Sequence, residues 1–132
     1  MKLFFLDAGG ILLVPVAIIG FIVIAVLLEA VIMLLFKLNK FGKCVLDSFI
    51  VNVVSLIAGF ILRSAFGNIG TERNIVTTVV TTWVIIFAIT VVIEGLLLML
   101  LNKKKPRQKI WLVTVVMNLA SYFILYLMFT FG

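Results

Sequence analysis

Histidine is absent from this 132-residue chain, cysteine occurs once (Cys44), and proline twice. Without histidine the chain lacks the commonest general base, the usual metal ligand and any imidazole for haem. A lone cysteine excludes an internal disulfide and any multi-cysteine metal site. No P-loop, GxSxG or HExxH pattern occurs. We therefore expect no enzyme, no catalytic residues, no cofactor and no bound metal. Charge is also scarce, at 12% of residues, against 65% hydrophobic residues and a mean hydropathy of +1.40. A soluble domain of this size could not hide so much apolar surface. No polar segment is long enough for a second domain, so residues 1–132 are expected to form one transmembrane unit.

What the chain has instead is four apolar stretches of spanning length, at 10–36, 45–66, 75–101 and 110–131. About 20 apolar residues cross a hydrocarbon core of about 30 Å. Helices are required, because an open sheet cannot satisfy its backbone in lipid, and the runs lack the alternation of a transmembrane barrel. The expected fold is an all-α membrane protein, a four-transmembrane-helix bundle. The first stretch follows Lys2 and Asp7, is too long for a signal h-region and has no small-residue cleavage site, so it reads as a retained span.

The formal net charge of +6 is distributed unevenly. Lys37, Lys40 and Lys43 crowd the first connection, and Lys103, Lys104, Lys105, Arg107 and Lys109 the third. The remaining basic residues are Lys2, Arg63 and Arg73, with Glu72 beside the last. The positive-inside rule places loops 37–44 and 102–109 in the cytoplasm and both termini outside. Such a basic rim attracts anionic lipid headgroups, which explains the charge without a nucleic-acid partner.

Internal repetition is carried by the polar positions. A shift of 65 residues lays Glu29 on Glu94, Ala30 on Gly95 and Ala25 on Thr90. A shift of 66 lays Asn52 on Asn118, Ser55 on Ser121 and Ser48 on Thr114, the extra residue falling in the basic loop. Each half (10–66 and 75–131) is a helix with Glu, a basic turn, and a helix with Asn-x-x-Ser. The two hairpins cross in the same sense, as a parallel repeat. Asn39 and Gly42 in the first turn and Pro106 in the third suit reversals. In the middle loop Gly67, Asn68 and Gly70 suit a turn, and Thr71 or Asn74 suits a cap for the third helix. Pro15 is expected in the first turns of helix one.

A carboxylate in hydrocarbon needs a reason. Glu29 is eight residues before Lys37, Glu94 nine before Lys103, and Asn52 and Asn118 nine after Lys43 and Lys109. At 1.5 Å per residue all four sit about 12–14 Å inside the line of basic charge. Glu29, Glu94, Asn52, Ser55, Asn118 and Ser121 are thus expected to share one polar layer, each Glu against an Asn-x-x-Ser stripe. Ser48, Gly59 and Thr114 extend those stripes as helix-packing positions. Insertion of an ionised residue costs about 2.5–3.5 kcal/mol, and a membrane hydrogen bond returns about 0.6 kcal/mol on average. The layer therefore calls for protonated carboxyls, a bound cation, lysines reaching down from the basic turns, or water. One role for it is to lock two hairpins in register. The other is a site for a proton, a small cation or a polar headgroup, with oxygen ligands suited to a hard cation.

Lesser features read as structural. Asp47, one turn after Lys43, suits an interfacial ion pair, and Cys44 a small interfacial residue. Trp111 fits an aromatic belt. Thr77, Thr78, Thr81 and Thr82 suit bonds to their own backbone or helix contacts. Tyr122 and Tyr126 suit lipid or helix contacts, and Met33, Met99, Met117 and Met128 apolar filling.

The string MNLASYFILYL, following a membrane Glu and a basic turn, resembles small bacterial inner-membrane proteins with a duplicated Glu…basic turn…Asn-Leu-x-Ser-Tyr hairpin. Asn118, Ser121 and Tyr122 match the fuller form, while Leu56 replaces the aromatic in the first half. The resemblance implies a bacterial inner-membrane location and a four-helix fold more than an activity. Small multidrug resistance exporters are similar in having four helices and a helix-one Glu, but a second Glu in helix three departs from them. Fluoride channels have four short helices but no membrane carboxylate pair, and the charge bias here opposes inverted assembly. Two functions follow. One is a non-enzymatic accessory or structural subunit of a larger membrane complex or homo-oligomer. The other is a small proton- or cation-coupled transporter or channel using Glu29 and Glu94.

Overall fold

The computed structural model describes residues 8–66 and 75–131. It contains four α-helices and, among the described residues, no strand: α1 (Ala8–Leu35), α2 (Phe41–Phe66), α3 (Ile75–Leu101) and α4 (Arg107–Phe131). Each holds a span of 21 or 22 residues with mean hydropathy between 1.9 and 3.0, long and apolar enough to cross a membrane. The proposed middle-loop residues Gly67, Asn68, Gly70, Thr71, Glu72, Arg73 and Asn74, together with Lys2 and Asp7, lie outside the described residues. So do the side chains of Arg63, Thr77 and Thr78.

Helix ends differ from the sequence reading where the turns are tighter than composition suggests. The second helix begins at Phe41 and the fourth at Arg107, so Lys43 and Lys109 stand on helices rather than in loops. Lys40 O accepts from Cys44 N at 3.0 Å and Pro106 O from Ile110 N at 3.2 Å, each closing a first helical turn. Proline suits that position because its missing donor has no helical partner there anyway. Pro15 lies inside α1, further along than expected.

Neither Asn39 nor Gly42 reverses the chain after α1. Lys37 does so, with φ at 54°. Leu38 N donates to Met33 O at 2.9 Å and Lys37 N to Leu34 O at 2.8 Å. This is a Schellman ending, which normally prefers glycine at the left-handed residue. The accompanying apolar contact compensates: Leu38 and Met33, which that motif brings together, are both fully buried.

The helices form a ring in chain order, each touching its two neighbours, and among the described residues the backbones do not approach across the diagonals α1–α3 or α2–α4. Both basic turns meet at one end: Asn39 Nδ2 donates to Asn102 Oδ1, and Lys109 Nζ to Lys37 O at 3.4 Å. The two hairpins therefore run in the same sense. Met33, Leu98, Val51, Val113, Ile110 and Met117 fill the centre of this basic end. Trp111 packs over α3 at Gly95, where only a glycine leaves room for its ring.

Burial stops partway along the bundle. Among described side chains in 15–24, 52–65, 80–93 and 122–131, none is buried. Tyr122 still joins α4 to α3 there, edge-on to Phe87 (5.1 Å between centroids) and Trp83 (6.1 Å). Edge-to-face geometry suits the ring quadrupoles. Among the described residues, the half away from the basic turns is thus held by partly exposed side chains.

Candidate functional site

At the boundary between the closed and open halves lie the two glutamates. Glu29 on α1 is 1% exposed and Glu94 on α3 is 2% exposed. Since α1 and α3 face each other across the ring, each carboxyl meets both α2 and α4. Around Glu29, Ser48 Oγ donates to Oε2 at 2.8 Å, Asn52 Nδ2 donates to the same oxygen, and Ser121 Oγ donates to Oε1 at 2.8 Å. Around Glu94, Asn118 Nδ2 donates to Oε2 at 2.7 Å and Ser55 Oγ to Oε1 at 2.8 Å. All six residues expected in one layer are in it.

The connectivity has a pattern that spacing alone does not reveal. Each Glu takes its Asn from its own hairpin and its Ser from the other. Glu29 pairs with Asn52 and Ser121, Glu94 with Asn118 and Ser55. A face of a helix is legible from spacing, but which neighbour it meets is set by the ring. The asparagines are held in place from below: Asn52 Nδ2 also donates to Ser48 O at 2.9 Å, and Asn118 Nδ2 to Thr114 O at 3.0 Å. Among the described residues no buried side-chain nitrogen or oxygen lacks a partner.

Three packing positions behave differently. Ser48 is a Glu29 ligand rather than a spacer, because its hydroxyl lies one turn from Asn52 on the same face. Its counterpart Thr114 is fully buried but returns its hydroxyl to Ile110 O at 2.7 Å, the common fate of a helical threonine. Gly59 does not pack at all: nothing lies within 4 Å of where its Cβ would be, since it stands in the open half.

No described lysine reaches down to either glutamate. Lys43, expected as part of a free rim, is engaged at the end of the bundle by a second buried cluster. Asp47 is 2% exposed. It accepts from Lys43 Nζ at 2.8 Å and from Asn102 Nδ2 at 3.0 Å. Lys43 Nζ also donates to Leu101 O at 3.2 Å and Asn102 Oδ1 at 3.3 Å. Helical spacing implies the ion pair, but neither its burial nor its tie to α3. Asn102 has no signal in its own segment, and the 65-residue shift lays it on Lys37 rather than on Asn39. Cys44 is buried too, donating to Asn39 O at 3.4 Å. This cluster clamps α2 onto the α3–α4 turn, while the second hairpin has Val113 at the place matching Asp47. Removing the Asp47 carboxylate takes away the charged acceptor shared by the Asn102 amide and the Lys43 ammonium, leaving them Leu98 O and Leu101 O. Asp47→Ala should thus cost about 1–3 kcal/mol, read as a lower melting temperature in detergent. Lys40→Ala, on an exposed side chain of the same turn, should leave it unchanged.

Among the described residues no group of three or more Cys, Asp or Glu side chains is placed to hold a metal ion. Lys37, Lys40, Lys103, Lys104 and Arg107 are exposed, and Lys105 and Lys109 half-buried. The chain matches no protein-family model, no curated protein and no solved structure.

Proposed function

We propose that the chain is a non-enzymatic, multi-pass inner-membrane protein of bacterial type, an accessory or structural subunit of a larger membrane assembly. One observation carries this reading. Each oxygen of both buried carboxyls accepts at least one hydrogen bond from this same chain, and the bonds tie all four helices together. A layer so arranged locks two hairpins in register and leaves the apolar outer faces for lipid or neighbours. The equivalent partners of Glu29 and Glu94 support descent of the two hairpins from one ancestral copy. With the basic turns together at one end, the positive-inside rule puts that end in the cytoplasm and both termini outside. Affinity purification of the tagged chain from its native membranes tests the role: a partner protein should copurify at fixed ratio, and recovery of the chain alone would count against it.

A second reading is favoured by the open half of the bundle. Asn52 and Ser55 are half-buried, so the layer is not sealed at these two side chains. In this reading Glu29 and Glu94 exchange a proton or a small cation, as a transporter or channel. Proteoliposomes should then show proton or cation flux that Glu29→Gln and Glu94→Gln abolish without lowering the amount of folded protein. Flux indifferent to both substitutions, or none, removes this reading.

A further inference from the structure

The two basic turns look alike in sequence but are unlike in structure. In the first, Lys43 is spent on Asp47 and Asn102. In the second, Lys103, Lys105 and Arg107 have no carboxylate partner among the described residues, where Lys43–Asp47 is the one ion pair. These three line a depression of about 610 Å³ between the end of α3 and the start of α4. Its other wall is apolar: Leu96, Met99 and Leu100 lie on α3 one to two turns deeper, towards the middle of the span. Leu96 and Leu100 are 48% and 64% exposed, so this wall faces outward from the bundle. The amides of the first turn of α4, which have no helical acceptors, open at Arg107 beside the same cations.

We propose that this depression binds one anionic glycerophospholipid, its phosphate among Lys103, Lys105 and Arg107 and an acyl chain along Leu96, Met99 and Leu100. The chemistry selects this class on two grounds. Three uncompensated cations at the headgroup level require a negative partner, and each is worth enough near a surface to bias lipid choice. A soluble phosphate compound would leave the leucine and methionine wall uncovered, whereas a lipid covers it while its phosphate stays at the charge line. The site is independent of the polar layer and of either function proposed for it. It lies in whichever leaflet faces the two basic turns.

Native mass spectrometry of the purified full chain, equilibrated in detergent with equal amounts of dioleoyl phosphatidylglycerol and dioleoyl phosphatidylcholine, tests the site. One phosphatidylglycerol should be retained per chain, with about a tenfold preference over phosphatidylcholine. The triple variant Lys103→Gln/Lys105→Gln/Arg107→Gln should bring that preference close to unity. Lys37→Gln/Lys40→Gln, which removes two charges from the other turn, should leave it intact. Equal loss in both variants would mean a diffuse surface potential and no site, overturning the proposal. Equal retention of the two lipids by the unaltered chain would overturn it as well. Displacement of the bound lipid by millimolar inorganic phosphate would show a soluble-anion site and reject the lipid assignment. Because the three cations are surface groups outside the core, unchanged monodispersity of the triple variant confirms that its lipid result reports binding.

Discussion

Glu29→Ala is expected to destabilise the purified protein by about 2–4 kcal/mol, more than any other single substitution in the polar layer. The alanine removes the common acceptor of Ser48, Asn52 and Ser121. Two of these donors, Ser48 and Ser121, are buried. Membrane hydrogen bonds average about 0.6 kcal/mol with a maximum near 1.7, so three of them set the scale, and the vacated volume adds to it. Glu94→Ala removes an acceptor from only Ser55 and Asn118, the latter keeping Thr114 O, and should cost less. Glu29→Gln should retain most of the stability. Its amide keeps one oxygen for Ser48 and Asn52 and turns its nitrogen to Ser121, whose hydroxyl accepts as readily as it donates. The expected order of melting temperatures in detergent is therefore wild type, Glu29→Gln, Glu94→Ala, Glu29→Ala. A Glu29→Ala protein as stable as a Lys104→Ala control would mean that the layer holds nothing together.

A further effect on stability is expected at Gly95, and here two contributions oppose each other. Helix propensity alone favours Ala over Gly by about 1 kcal/mol. Against this, a Cβ at position 95 would fall 2.7 Å from Cε3 of the Trp111 ring, with other ring atoms as near. An indole wedged between two helices cannot yield by rotating a flexible tip, and overpacking typically costs about 1–3 kcal/mol. The clash wins, and Gly95→Ala should lower the melting temperature. Gly20→Ala should raise it, since nothing lies within 4 Å of a Cβ there. Trp111→Leu should cancel most of the penalty at Gly95, so a double-mutant cycle should give a clear coupling. A Gly95→Ala protein more stable than wild type would show that the ring gives way freely.

Much of this site is legible in the sequence because its residues are rare in their setting. Glu, Asn and Ser inside apolar runs stand out, and one rise per residue suffices to put them at one height. Four helices follow from run length and hydropathy, and the shared direction of the hairpins from the charge of the turns. Other features depend on contacts between distant parts of the chain. Lys43 and Asp47 read as a surface pair because helical spacing shows them adjacent. Only Asn102, 55 residues further on, encloses the aspartate. Lys37 takes the left-handed position without any glycine signal, because burial of Leu38 outweighs the conformational cost. The stripe through Gly59 continues in sequence after the packing that would use it has ended. Trp111 reads as an interfacial anchor until Gly95 is seen to be its seat.

The exchange of serines between the hairpins has a consequence for biogenesis. Synthesis from the N-terminus makes α1 and α2 before α4. At that moment Glu29 has Ser48 and Asn52 beside it, but Ser121 is still in the ribosome or the translocon. Completion of the first carboxyl's shell waits for α4, and the second carboxyl in turn borrows Ser55 from a helix made earlier. Neither carboxyl's shell is complete within its own hairpin, so closure of each requires the other hairpin to be in place.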